Sequence, residues 1–240
     1  STLKAKLGGS IPVGSGPVPA IRRVEDPSLL AGYALRALLE EQGITVKGEV
    51  RPGSKARQSL LASRPSPSVG ELLARLGKDS DNFTAEMLFL AAGASSEGEA
   101  SFGQAQSGAL AHAKLRGVPD GEWLVQNGSG LFQANKASAN AVATLLRNEA
   151  RSSRTGPEYV AHLAIGGVDG TLKKRFKPLA KSRSVRAKTG TLAASVALSG
   201  YVLGSDGRPL LAFSFITGSV KGKTGQARDA IDDAVLALAR

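Results

Sequence analysis

Cysteine is missing from this 240-residue sequence. Its absence excludes disulfide staples, thiolate metal sites and a cysteine nucleophile. Aromatic residues are scarce at 5%, too few for the stacking platforms that hold single-stranded nucleic acid, so no nucleic-acid partner is expected. Histidine occurs only at His112 and His162, neither with a ligand-type partner at metal spacing. Both read as structural, and no metal or organic cofactor is expected. No apolar run approaches the roughly 20 residues a helix needs to cross a bilayer, so no transmembrane segment is expected. Acidic residues are also in short supply. Twenty Asp and Glu stand against 31 Lys and Arg, for a formal net charge of +11 and a pI near 10.1. Such a molecule is drawn to polyanions, whether acidic polymers or anionic lipid surfaces.

What is present is enough for a folded domain. With 42% hydrophobic residues, 29 Gly and 11 Pro, the chain can bury a sizeable core, and one large domain is expected. Residues 2–7 read as a short strand, followed by a Gly/Pro-rich connection. Asp26-Pro27 is an N-cap with proline at the first helical position, and Leu30, Ala34, Leu38 and Leu39 form an apolar stripe that Gly43 ends. Residues 44–50 alternate like a strand, and 51–67 form a basic loop. Ser68-Val69-Gly70-Glu71 is a capping-box pattern opening a short helix that stops near Gly77.

Helices are then expected over 83–94, 100–116 and 138–150, a short strand over 123–126 and a helical turn over 159–163. Glycine-rich bends separate them at Asn127-Gly128-Ser129-Gly130-Leu131 and Gly166-Gly167-Val168-Asp169-Gly170. Three consecutive antiparallel strands, Val185–Leu192, Ser195–Leu203 and Pro209–Thr217, are closed by an amphipathic helix, Thr224–Leu238. Helices and meanders without a repeated βαβ unit predict an α+β layered fold, an antiparallel sheet packed with helices.

Two stretches carry candidate chemistry. Lys188-Thr189-Gly190-Thr191 lies within an expected strand and offers an ammonium, a hydroxyl and an unhindered backbone, which suits a ligand bearing a carboxylate. Gly190 lets that ligand's own backbone come close. Read alone, the same residues make a strand end with a polar turn. The second stretch, Lys78-Asp79-Ser80-Asp81-Asn82, lies between two helices. Ser80, Asp81 and Asn82 either cap the following helix or form a rigid loop presenting a hydroxyl and a carboxamide to a cleft. Gly218 to Thr224 has the setting of a phosphate-binding loop, but three residues separate its glycines where that motif needs four, so no nucleotide site is expected. A second Lys-Thr-Gly, Lys223 to Gly225, opens a helix instead of lying along a strand.

With Ser80-Asp81-Asn82 and Lys188-Thr189-Gly190 in this order, the sequence resembles the penicillin-binding D-alanyl-D-alanine carboxypeptidase/endopeptidase family, in the branch with domains inserted into the catalytic domain. That family orders its motifs S-x-x-K, S-x-N, K-T-G. The surroundings are also similar at Arg23-Val24-Glu25-Asp26-Pro27, Asn127-Gly128-Ser129-Gly130-Leu131, Gly167-Val168-Asp169-Gly170-Thr171-Leu172 and Thr191-Leu192. The single S-x-x-K is Ser1-Thr2-Leu3-Lys4. Gly8, Gly9 and Pro12 deny it the helix that would aim hydroxyl and amine into one cleft, so it reads as coincidence.

The resemblance implies a partial transpeptidase-type domain without its S-x-x-K helix. Residues 1–23 would be a strand and connector from an upstream inserted domain, and 24–240 the C-terminal part of the catalytic domain. It also implies acyl transfer on peptidoglycan stem peptides, β-lactams as ligands and a location outside the cytoplasmic membrane at the cell wall. Ser80 would relay protons, Asn82 hold the substrate amide, Lys188 and Thr189 bind the terminal carboxylate, and the Thr191 N–H serve as an oxyanion donor. The nucleophilic serine would come from an upstream part of the same protein, leaving this chain inactive alone.

Overall fold

A computed structural model describes residues 8–17, 24–53, 62–94 and 100–240. The strand expected at 2–7 and the Ser1–Lys4 motif lie outside the described residues. Contacts divide the chain into two units, 1–64 and 65–240.

In the first unit, helix α1 (Pro27–Glu41) starts where the sequence predicts. Asp26 Oδ1 accepts from Leu29 N at 2.9 Å, and Pro27 opens the helix. The strand expected at 44–50 does not form. The segment is irregular, Gly48 takes a left-handed φ of 97°, and the Gly48 carbonyl accepts from the Arg36 guanidinium at 3.0 Å instead of from a neighbouring strand. Among the described residues no strand pairs with this segment, and alternation alone does not make one.

The second unit holds the motifs. Helix α2 (Val69–Ala74) opens on the predicted capping box, with Ser68 Oγ accepting from Glu71 N at 3.3 Å and Glu71 Oε2 from Ser68 N at 2.8 Å. It widens into a π turn over Arg75–Asp79 and ends within two residues of Gly77, near which the sequence predicts its stop. Helices α3 (Asn82–Ala92) and α4 (Phe102–Leu115) pack through Phe89 and Phe102, whose ring centroids are 6.2 Å apart. A two-stranded ladder, β1 (Trp123–Leu124) with β2 (Lys136–Ala137), is shorter than the strand expected at 123–126. Helices α5 (Ala139–Ala150) and α6 (Gly156–His162) follow.

The remaining strands, β3 (Ala164–Ile165), β4 (Val185–Leu192), β5 (Ser195–Leu203) and β6 (Pro209–Thr217), form one antiparallel sheet in that order. Helix α7 (Thr224–Leu238) covers one face, where Val185, Ala187, Val196, Leu198, Val202 and Phe213 are buried with Ile231 and Val235. The other face packs Tyr201 and Leu203 on Leu146 of α5 and on Leu163, and the buried Tyr201 hydroxyl donates to the Leu146 carbonyl at 2.7 Å. Period-two alternation therefore assigns Arg186, Lys188 and Gly190 to the face opposite α7. Among the described residues, no helix is long and apolar enough to cross a membrane.

A buried carboxylate ties α4 to α5. Glu149, 3% exposed, accepts from His112 Nε2 at 2.5 Å, Arg116 Nε at 2.8 Å and Thr155 Oγ1 at 2.9 Å. Burial works against its ionisation, but the bonds from Arg116, Thr155 and His112 outweigh it and hold its pKa below the ordinary 4.5. A folded pKa below the unfolded one means stability that is complete above 4.5 and is lost as pH falls through the folded value. Glu149→Ala should cost about 2–3 kcal/mol at neutral pH by urea denaturation. The gap between wild type and variant should narrow in acid.

Candidate active site

Ser80 is set by the irregular end of α2. The π turn ends with Ser80 in the left-handed region at φ 58° and ψ 44°, which turns the chain sharply before α3. Of the three capping candidates, Asp81 does the capping. Its Oδ1 accepts from Thr84 N at 2.6 Å, and that backbone bond holds the carboxyl below its ordinary pKa. Ser80 is left free for other contacts. Asn82, the first residue of α3, is exposed with no hydrogen-bond partner among the described residues.

Lys188 reaches Ser80 from the sheet. Its Nζ donates to Ser80 Oγ at 2.6 Å across 108 positions of sequence, and to the Thr189 carbonyl at 3.1 Å. No carboxylate pairs with Lys188 among the described residues, and burial pushes its ammonium pKa down. Two residues earlier on the same face, Arg186 Nε is buried without a hydrogen-bond partner among the described residues. Thr189 Oγ1 donates to Thr171 Oγ1 at 3.0 Å, fixing its hydroxyl at the rim.

The edge of β4 beside these groups is open. β3 pairs only with Arg186 and Ala187, so from Lys188 onward no strand covers that side among the described residues. The phase of the ladder says which amides face the gap. Gly166 N donates to Val185 O on the β3 side at 3.0 Å, and Leu203 N to Ser184 O on the β5 side at 2.6 Å. Alternation then turns the N–H and C=O groups of Thr189 and Thr191 to the open side. Ser80 and Lys188 touch directly, and Gly190 and Thr191 farther along the strand are exposed. A surface cleft of about 480 Å³ between α5 and β6, lined by Asn140, Arg147 and Leu210 among others, is elsewhere.

Several supporting residues were not singled out by sequence reasoning. Lys78 donates to Asp169 Oδ2 at 2.6 Å, joining the serine turn to the Gly167–Leu172 patch. Glu86 of α3 holds the Asn127–Leu131 loop by accepting from Gly128 N and Ser129 N, each at 3.1 Å, and from Ser129 Oγ at 2.5 Å. Burial opposes its ionisation, yet those donors keep its pKa below the usual glutamate value. Nothing in the spacing of Lys78 or Glu86 announces these roles, because each partner lies 42 or more positions away.

The sequence profile of the D-Ala-D-Ala carboxypeptidase 3 (S13) family matches residues 1–239. The chain belongs to the D-Ala-D-Ala carboxypeptidase 3 (S13) family. It is 35% identical over 236 residues to a D-alanyl-D-alanine carboxypeptidase of Actinomadura sp. (strain R39), covering 95% of this chain and 43% of that protein. It is 31% identical over 221 residues to the D-alanyl-D-alanine carboxypeptidase DacB of Haemophilus influenzae, covering 85% of this chain and 44% of the relative. The crystal structure of penicillin-binding protein 4 (dacB) from H. influenzae, complexed with a β-lactam, superposes with a TM-score of 0.73 at 25% identity. That match covers 89% of this chain and 51% of the other. The mixed helical and antiparallel fold is thus that of an S13 peptidase, and the chain spans less than half the length of these two curated relatives.

Proposed function

We propose that the protein containing this chain is a serine-type D-Ala-D-Ala carboxypeptidase/endopeptidase that cleaves peptidoglycan stem peptides through an acyl-enzyme and is acylated by β-lactams. The observation that carries the proposal is the 2.6 Å contact between Lys188 Nζ and Ser80 Oγ beside the open edge of β4. In this reading, residues 24–240 are the C-terminal part of the catalytic domain, and 1–23 connect to an inserted domain. The nucleophilic serine and its lysine base come from an upstream part of the same protein. Substrate adds to the β4 edge as an extra strand. Its terminal carboxylate meets the Lys188 ammonium and the Thr189 hydroxyl, and Asn82 holds its amide.

Attack by the serine oxygen, whose proton passes to the lysine base, on the carbonyl between the two D-alanines puts negative charge on the carbonyl oxygen. The Thr191 N–H stabilises that charge as one of two oxyanion donors, the other being the N–H of the nucleophile. Ser80, its hydroxyl oriented by Lys188, passes its proton to the leaving amine and receives the one held by the lysine base. The C–N bond breaks, terminal D-alanine departs, and water hydrolyses the ester, restoring the serine. The substrate implies action outside the cytoplasmic membrane, and the +11 charge suits an anionic wall.

Labelling with a fluorescent penicillin tests this reading. The full-length protein should be labelled covalently and this chain alone should not. Label on Ser1 would contradict the assignment of the nucleophile to another segment. A full-length protein that binds muropeptides but takes no label would identify a wall-binding protein without the chemistry.

A further inference from the structure

The turn that carries Ser80 is fastened by an ion pair to which the acyl-transfer scheme gives no part. Lys78, two residues before Ser80, donates from Nζ to Asp169 Oδ2 at 2.6 Å and to the Leu163 carbonyl at 3.2 Å. Asp169 Oδ1 accepts from Ile165 N at 2.7 Å, so one carboxylate joins the serine turn to β3. The two side chains are 25% and 33% exposed, sheltered enough for charge-assisted bonds to hold a geometry. The backbones behind them are equally close. A Cβ on Gly77 would lie 2.1 Å from the His162 carbonyl oxygen, and one on Gly170 would lie 2.4 Å from that of Lys78.

Ser80 needs such support. A left-handed serine costs about 1 kcal/mol or more relative to an ordinary conformation, and it persists only where its surroundings enforce it. The side-chain bond from Lys188 orients the Ser80 hydroxyl, which is a separate matter from the conformation of the backbone.

We propose that Lys78 and Asp169 are a positioning pair that holds Ser80 in its left-handed conformation within reach of Lys188. Among the described residues the hydrogen bonds of the two side chains go to each other, to the Leu163 carbonyl and to Ile165 N, not to β4 from Lys188 onward, so the pair acts through Ser80 and not on the reacting atoms. The proposal rests on the peptidase reading above for its kinetic consequence, but the geometry it describes can be tested without activity.

The experiment uses the full-length protein carrying Asp169→Asn, Lys78→Met or Lys78→Arg, with a fluorescent penicillin as probe. Asp169→Asn and Lys78→Met should slow the acylation step roughly 30- to 100-fold, as misplacing a reacting group by about 1 Å does, while initial binding stays within about threefold. Lys78→Arg, which keeps charge and donors, should recover most of the rate. Acylation at the wild-type rate in both neutral variants overturns the proposal.

Hydrogen exchange on the same proteins provides the independent reading. Amides of residues 78–82 should exchange about tenfold faster in Asp169→Asn, with those of β5 unchanged. Unchanged exchange at 78–82 also overturns it. If wild type takes no penicillin, the peptidase reading fails and exchange alone decides the positioning role.

Discussion

Replacing Lys188 with methionine in the full-length protein is expected to slow acylation by a penicillin about 10³-fold, about 4 kcal/mol in the barrier, the scale seen when a preorganised polar group of an acyl-transfer site is removed. Two losses combine. The Ser80 hydroxyl loses the donor that orients it at 2.6 Å, and the open edge of β4 loses the ammonium that would meet the ligand's carboxylate. Arginine at 188 should not rescue the rate. The lysine is partly buried with its Nζ shared between Ser80 Oγ and the Thr189 carbonyl, and a planar fork cannot occupy that point. Stopped-flow acylation rates, with thermal melts to show that the variant is folded, provide the check. A variant within tenfold of wild type would remove Lys188 from the mechanism.

Gly200→Ala should be the most damaging small substitution in the sheet. Gly200 lies opposite Ala187 in the β4–β5 ladder, and a Cβ there would sit 2.0 Å from the Arg186 carbonyl oxygen and 2.5 Å from Ala187 Cα. These are backbone atoms of the central pair of strands, so the clash is relieved only by pushing β4 away from β5. The expected cost is about 3 kcal/mol, the upper end for overpacking, or a fall of roughly 10 °C in Tm. The same displacement would move Lys188, one residue beyond Ala187, out of register with Ser80. Gly103→Ala, in α4 with nothing within 4 Å of the added carbon, is the control. It should be neutral or stabilising by up to about 1 kcal/mol.

Much of this was readable from the residues because the local rules and the tertiary structure agree. The last three strands and α7 carry period-two and amphipathic patterns that two apolar faces demand, and their boundaries match the structure at Val185–Leu192, Ser195–Leu203, Pro209–Thr217 and Thr224–Leu238. Asp26 and Ser68 cap the helices their sequence positions announce.

The reading failed where pattern lacked a partner and fell short where contacts are distant. Residues 44–50 alternate but pair with no strand among the described residues, and Arg36 donates to the Gly48 carbonyl. The helix expected to end near Gly77 does so within two residues, but as a π turn that the spacing does not announce, with Gly77 packed on the His162 carbonyl and Lys78 paired with Asp169. At the site, motif spacing picked out Ser80 and Lys188, and the structure brings them together. Lys78 and Asp169 stand inside stretches the sequence marks and Glu86 outside them, but the roles of all three depend on loops folding back from far along the chain. Residues that touch ligand tend to sit in short local motifs, whereas those that hold the motif in place need only be near it in space.

The claim on which the account turns is that Ser80 and Lys188 work as one unit. A double-mutant cycle on the penicillin acylation rate of the full-length protein, with Ser80→Ala, Lys188→Met and the pair combined, measures this directly. If the 2.6 Å contact operates in the reaction, the double variant should be little slower than Lys188→Met alone, with a coupling of about 1.5–3 kcal/mol. Strictly additive losses, with coupling below about 0.5 kcal/mol, would mean that the two side chains act independently and that the site has been misread.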